Sequence, residues 1–172
     1  LIAAIEILLR LAGAGGEPPL FRKVGATDRG MLFVTDRARA ASYFVAAPER
    51  MSPMEQNTFL MPKPTNGLRI VVVGESAARG YPQPMAFASS SFLRELLAEC
   101  RPDRAVEVLN LSCTAVASFP VLDLGLQALR CQPDALIVYA GNNEFYGTYG
   151  VASSRRLGTT PGALRWQHRL RG

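Results

Sequence analysis

A run of β-branched residues in the middle of the chain constrains its fold more than any other feature. Residues 69–76 read Arg-Ile-Val-Val-Val-Gly-Glu-Ser, with four consecutive apolar residues and no polar alternation. Such a run is typical of a strand buried on both faces, as in parallel sheets covered by helices. In open sheets of this kind ligands bind beyond the carboxyl ends of the strands, which is where Ser76 lies. Taken alone, Gly74 and Ser76 are equally typical of an ordinary junction between a strand and a loop.

The residues that follow repeat the alternation of helix and strand. Apolar residues at helical spacing over 85–100 predict an amphipathic helix, and residues 105–110 predict a second strand. A second helix is predicted over about 119–131, with Ser118 as its N-cap. A third buried strand is predicted at 135–140. The order β-α-β-α-β predicts an α/β fold with a doubly wound parallel sheet and right-handed crossovers.

The charge of the chain is unevenly distributed. The chain has 172 residues, 48% of them hydrophobic and 19% charged, which is typical of one globular domain. Its net charge of +5 comes from residues 151–172, which contain five Arg and no acid. We interpret this stretch as a solvated end left by truncation rather than as a surface for nucleic acid or anionic lipid. We therefore expect no nucleic-acid partner.

The cysteine and histidine content predicts neither a disulfide framework nor a metal site. The chain has three Cys without CxxC spacing and a single His. We expect no metal and no cofactor. Cys100 and Cys131 fall at the ends of the two predicted helices, and we expect both to be buried as small apolar residues.

The first residues of the chain are strongly apolar. Residues 1–13 are helix-forming but too short to cross a bilayer by themselves, which takes about 20 residues. Because the chain begins with Leu1, we expect a fragment and interpret residues 1–14 as the end of a membrane anchor helix. The protein would then be membrane-associated, facing the periplasm or the exterior. The alternative is an amphipathic helix that lies on the domain.

Residues 15–67 form a lead segment without recognisable chemistry. It opens with a linker rich in Gly and Pro. Short strands are predicted at 31–35 and 42–45, and a turn-rich stretch at 62–67 leads into the Val-rich strand.

Polar residues follow each of the three strands predicted after this segment. Ser76 follows the first strand, the loop at 112–118 the second, and Asn142 and Asn143 the third. If the strand order is 2-1-3, the switch point of the sheet lies beside the first strand, at Ser76. A hydroxyl, free backbone N–H groups and a side-chain amide would then meet in one crevice. Ester hydrolysis needs a nucleophile and donors aimed at a developing oxyanion.

Three short motifs, in this order, resemble the blocks of the SGNH (GDSL-type) hydrolases. Residues 74–76, Gly-Glu-Ser, are similar to the first block, Gly-Asp-Ser. Residues 110–115, Asn-Leu-Ser-Cys-Thr-Ala, are similar to the second, and residues 141–144, Gly-Asn-Asn-Glu, to the third, Gly-x-Asn-Asp. The resemblance covers roughly residues 68–148. It implies a flavodoxin-like, three-layer α/β/α sandwich, of which residues 68–172 form a part that is incomplete at the C-terminus.

The resemblance also implies roles for three residues. Ser76 would be the nucleophile, and its backbone N–H would donate to the oxyanion. Asn143 would be the side-chain donor, with a turn-forming residue as the alternative. Ala115 stands where the family has a Gly that supplies a backbone N–H, and it can serve if its backbone angles are unstrained. Glu75 and Glu144 stand where the family has Asp.

The final block of the family, Asp-x-x-His, has no counterpart in this chain. His168 is preceded by Arg165 where the Asp should stand. We therefore interpret His168 as part of the basic stretch and expect the base to lie beyond residue 172. The chain as given would then be inactive, and its third strand would present an apolar, unpaired edge.

The sequence thus predicts a serine esterase that acts on a small-molecule or carbohydrate ester. Two alternatives stay open. One is a non-catalytic module that binds a carbohydrate or a partner on the same fold. The other is a carbohydrate O-acetyltransferase that uses the same Ser76.

Overall fold

The computed structural model describes residues 4–5, 7–8, 18–44 and 53–147. These residues form one antiparallel and one parallel sheet of three strands each. The strands are β1 (Phe21–Thr27), β2 (Gly30–Thr35), β3 (Thr58–Met61), β4 (Gly67–Gly74), β5 (Ala105–Asn110) and β6 (Ala135–Tyr139). The helices are α1 (Arg37–Ala41), α2 (Ser76–Arg79), α3 (Ser89–Cys100) and α4 (Ser118–Ala128), with 3-10 turns at Met85–Phe87 and Leu129–Cys131.

The Val-rich run forms the central strand of the parallel sheet. β4 pairs in parallel with β5 on one side and with β6 on the other, so the strand order is β5-β4-β6. This is the 2-1-3 order on which the predicted meeting of the three loops depends. Because all three strands are parallel, their carboxyl ends lie at one edge of the sheet. The fold is therefore mixed α/β with a parallel sheet, as the sequence predicts.

Alternate residues of β4 face different helices. Val71 and Val73 belong to the same buried cluster as Leu124 of α4. Val72 instead lines a groove together with Leu93 of α3. Because side chains alternate along a strand, the two helices cover opposite faces of the sheet. This arrangement explains why the strand has apolar residues at consecutive positions.

The third predicted strand is exposed rather than buried. All residues of β6 are exposed, Val138 to 60%. In the described part of the chain β6 pairs only with β4, so its other edge is the apolar, unpaired edge expected above. Phe92 and Leu96 are also more than half exposed, so the apolar face predicted for α3 is only partly covered.

The antiparallel sheet was only partly predictable. The strand predicted at 31–35 lies within β2, but the strand predicted at 42–45 is wrong. Residues 42–44 form a turn after α1, whose N-cap is Asp36, and residue 45 lies outside the described residues. The sequence did not predict β1 or β3. β1 is mostly exposed and has no apolar alternation, so pairing with β2 decides its conformation.

Two predicted helix features also need correction. Ser118 is the first residue of α4, and its N-cap is Ala117, which has an extended backbone. The carboxylate of Glu144 accepts the backbone N–H (3.1 Å) and the hydroxyl (2.9 Å) of Ser118. The helix predicted from residue 85 begins with a 3-10 turn and becomes α-helical at Ser89. Cys131 is buried as predicted, but Cys100 is exposed because it ends α3 on a turn that the core does not cover.

Arg69 of β4 joins the two sheets and is fully buried. Its guanidinium donates to the carbonyl oxygens of Leu60 (2.8 Å) and Cys131 (2.6 Å) and pairs with Glu107 (2.7 Å). It also lies over the ring of Phe59, 5.2 Å from the centroid. A buried cation with this many acceptors fixes the position of the antiparallel sheet against the parallel one.

Only four residues of the predicted anchor segment are described. Residues 4–5 and 7–8 are helical and exposed. Among the described residues, none of the helices has both the length and the apolar character needed to cross a membrane. The Arg-rich stretch at 151–172, with His168, lies outside the described residues.

Candidate functional site

Three loops meet at the carboxyl ends of the parallel strands. The loop after β4 contacts the end of β6, where the N–H of Glu75 donates to the carbonyl oxygen of Tyr139 (3.2 Å). The loop after β5 contacts the end of β4, where the N–H of Cys113 donates to the carbonyl oxygen of Gly74 (2.9 Å). The loop after β6 packs on the loop after β5 so closely that a Cβ on Gly147 would lie 2.7 Å from the carbonyl carbon of Val116.

Ser76 is the first residue of α2 and is half-buried. Gly74, two residues earlier, has no positive φ. A Cβ at Gly74 would lie 2.1 Å from the carbonyl oxygen of Tyr139 and 2.6 Å from the Cβ of Ala78. Glycine is therefore required here for the close approach of β4 to β6 and of α2 to β4.

The carboxylate of Glu75 organises the loop after β6. Glu75 is fully buried. Its Oε1 accepts the backbone N–H of Gly141 (3.0 Å), and its Oε2 accepts those of Asn142 (2.8 Å) and Asn143 (3.0 Å). Three charge-assisted hydrogen bonds compensate the burial of this carboxylate. The sequence did not predict this contact, because it joins residues that are far apart in the chain.

Asn143 lies in the loop held by Glu75, and its side-chain Nδ2 is buried without a hydrogen-bond partner. Its backbone carbonyl accepts the N–H of Gly147 (2.7 Å), which closes a tight turn. A buried amide that donates to nothing costs about 1–3 kcal/mol. Such a group indicates strain, a missing ligand or a functional role.

Two other buried side-chain atoms in the described residues lack a partner, and both lie in segments that directly follow strands of the parallel sheet. Ser112 Oγ lies on the loop after β5, and Arg79 Nε lies on the helix that begins with Ser76. The rest of the Arg79 guanidinium donates to Thr114 Oγ1 (3.1 Å) and pairs with Glu55. All the unpartnered buried side-chain atoms of the described residues can donate a hydrogen bond, and all follow strands of the parallel sheet.

Ala115 has a left-handed backbone, with φ at 60°, and is exposed. For a residue with a Cβ this conformation costs roughly 1–2 kcal/mol. The condition that its backbone be unstrained is therefore not met. The positive φ is the conformation that a glycine adopts freely, which is the residue that the SGNH pattern has at this position.

The thiol in the loop after β5 is unsuited to act as a nucleophile. Cys113 is fully buried in the loop after β5. Burial raises the pKa of its thiol to about 12, so the thiol stays protonated at neutral pH.

The structure thus places Ser76, Ala115 and Asn143 on three loops at one edge of the parallel sheet. The only histidine of the sequence, His168, lies outside the described residues. Within those residues, no group of three or more His, Cys, Asp or Glu side chains is arranged to hold a metal ion. Glu75, Arg79 and Thr114 are site residues that the sequence did not identify as such.

Comparison with known proteins does not assign this chain to a family. No protein-family model matches it, and neither a curated protein nor a solved structure matches it significantly.

Proposed function

We propose that this chain carries the nucleophile and the oxyanion hole of an SGNH-type serine esterase on a flavodoxin-like sandwich. The observation that carries the proposal is the buried, unpartnered Nδ2 of Asn143 at the carboxyl edge of the sheet. An oxyanion of the substrate would supply the acceptor that this amide lacks. The sequence motif at Ser76 and the positive φ of Ala115 support the same assignment.

The proposed reaction follows from these positions. Ser76 Oγ attacks the ester carbonyl carbon while a general base takes the hydroxyl proton. The carbonyl oxygen becomes an oxyanion that accepts from Asn143 Nδ2 and from the backbone N–H groups of Ser76 and Ala115. The tetrahedral intermediate then expels the alcohol, which receives the proton from the base, and water hydrolyses the acyl-serine.

The base must come from outside the described residues, which contain no histidine. A serine hydroxyl without a base is a weak nucleophile, so we expect residues 1–172 alone to show negligible Ser76-dependent hydrolysis of p-nitrophenyl acetate. Robust turnover by this chain that Ser76→Ala abolishes would show that residues 1–172 contain the base, either His168 or another group.

An active-serine probe tests the nucleophile directly. A fluorophosphonate should label the full-length protein, and Ser76→Ala should abolish labelling. Ser91→Ala is the matched control, because it removes a serine hydroxyl from α3, outside the three loops, and should leave labelling intact. Labelling that survives Ser76→Ala contradicts the assignment. Absence of labelling in the unaltered protein would favour a binding module.

Product analysis separates hydrolysis from acyl transfer, since both proceed through an acyl-serine. With an acetyl ester as donor, an esterase releases acetate, whereas an O-acetyltransferase places the acetyl group on an added sugar. We expect acetate. Acetylated sugar as the main product would reassign the enzyme to the transferases.

We also propose that residues 1–13 tether the protein to a membrane. The segment is apolar, and Ile5, Ile7 and Leu8 are exposed in the structure. Deletion of the native N-terminus through Gly13 should move the full-length protein from the membrane fraction to the soluble fraction. A fully soluble undeleted protein would exclude the tether.

A further inference from the structure

The residue immediately before the proposed nucleophile controls the loop that carries the proposed oxyanion donor. Glu75 is 0% exposed, and its two carboxylate oxygens accept three consecutive backbone N–H groups, those of residues 141–143. The contact spans more than sixty residues of sequence, so no local turn preference produces it. Glu75 is thus a major side-chain contact of this loop, at the three residues that include Asn143.

Backbone contacts bind the same two segments together. The N–H of Glu75 donates to the carbonyl oxygen of Tyr139 (3.2 Å), the last residue of β6. Glu144, the residue after Asn143, also holds the loop: its carboxylate accepts hydrogen bonds from the backbone N–H and the hydroxyl of Ser118 at the start of α4. The backbone of Asn143 is thus fixed by Glu75 directly, while its Nδ2 stays free for an acceptor.

We propose that Glu75 is the positioning residue of the oxyanion hole, a role that rests on the proposed function. Its carboxylate holds the backbone of Asn143 at a fixed place relative to Ser76, the next residue in the chain. Oxyanion donors stabilise a transition state only when they are already placed where the charge develops. A misplacement of about 1 Å in an active site can lower the rate about 100-fold.

The chemistry of the contact requires a carboxylate of this length. Glutamine has the same shape, but its amide nitrogen would face at least one of the three N–H donors and could not accept from it. Aspartate keeps both acceptors but is shorter by one methylene. Both substitutions should therefore shift the loop without removing any atom from the proposed site.

A double-mutant cycle in the full-length enzyme tests this role. Glu75→Gln should lower the turnover number about 10- to 100-fold and leave KM within about threefold. In the Asn143→Ala background the same substitution should change turnover by less than about threefold, because the donor that Glu75 positions is already absent. If Glu75→Gln does not fold, Glu75→Asp enters the same cycle, with a smaller loss expected.

A matched control separates positioning from general destabilisation. Glu107→Gln removes a charge from a partly buried carboxylate that pairs with Arg69, away from the loops. It should lower the melting temperature without changing turnover per folded molecule. Equal losses of turnover from Glu75→Gln with and without Asn143 would overturn the inference. If Asn143→Ala itself leaves turnover unchanged, the proposed function fails before the role of Glu75 is reached.

Discussion

The two ends of the parallel sheet differ in their buried polar groups. Near the beginning of β4, the guanidinium of Arg69 meets the carboxylate of Glu107, two backbone carbonyl oxygens and the ring of Phe59. In the loops at the opposite, carboxyl end of the sheet, Ser112 Oγ after β5 and Asn143 Nδ2 after β6 are buried without hydrogen-bond partners. The sheet thus has a hydrogen-bonded, saturated polar cluster at one end and an unsaturated one at the other.

We interpret this difference as one between a structural cluster and the proposed functional site. A saturated polar network fixes one arrangement of the core, and removing a member leaves the others unpaired. An unsaturated group lowers stability unless a ligand completes its hydrogen bonds. We therefore expect substitutions at the two ends to have opposite effects on stability and on activity.

The largest expected effect is on turnover at the unsaturated end. Asn143→Ala in the full-length protein removes the proposed oxyanion donor and should lower the turnover number about 100- to 1,000-fold. Because its Nδ2 has no partner in the folded protein, the free energy of unfolding should stay constant or rise by up to about 1 kcal/mol. Steady-state kinetics and urea unfolding measure the two quantities. A loss of turnover below about threefold would reassign Asn143 to a structural turn.

At the saturated end the expected effect falls on stability. Arg69→Met keeps an apolar stem but leaves two buried carbonyl oxygens and Glu107 without their donor. We expect the free energy of unfolding to fall by about 2–4 kcal/mol, with turnover per folded molecule unchanged.

Arg94→Met is the matched control for Arg69→Met. Arg94 pairs with Glu95 at the surface, so its loss should change stability by less than about 0.5 kcal/mol. If urea unfolding gives the same small value for Arg69→Met, the saturated cluster is not what fixes the antiparallel sheet.

The smallest expected effect concerns backbone strain beside the site. Ala115→Gly should raise the free energy of unfolding by up to about 1 kcal/mol, because glycine adopts the positive φ without strain. Ala98→Gly in α3 is the control of opposite sign, with a loss of about 1 kcal/mol expected in a helix. Thermal unfolding distinguishes the two. A destabilising Ala115→Gly would show that the left-handed conformation is not strained here.

The parallel sheet was largely predictable because its signals are local. Consecutive apolar residues predicted β4 and its burial, and spacing predicted α3 and α4 within a few residues. Exposure of β6 was not predictable, since the burial of an apolar strand depends on which neighbours pair with it. The strand predicted at 42–45 failed for a related reason. Tyr43 is buried against Asp123 of α4 through a turn, so an apolar pattern alone did not distinguish a strand from a packed loop.

The sequence by itself determined which residue types follow each strand of the parallel sheet. It placed Ser76, the loop containing Ala115 and Asn143 after three strands, because strand and loop boundaries follow from composition. The tertiary structure decided which of their polar atoms have hydrogen-bond partners. Contacts between segments far apart in the chain decide these details. They leave an amide without a partner, hold an alanine at positive φ and let a glutamate accept three distant N–H groups. Residue order does not encode such contacts locally.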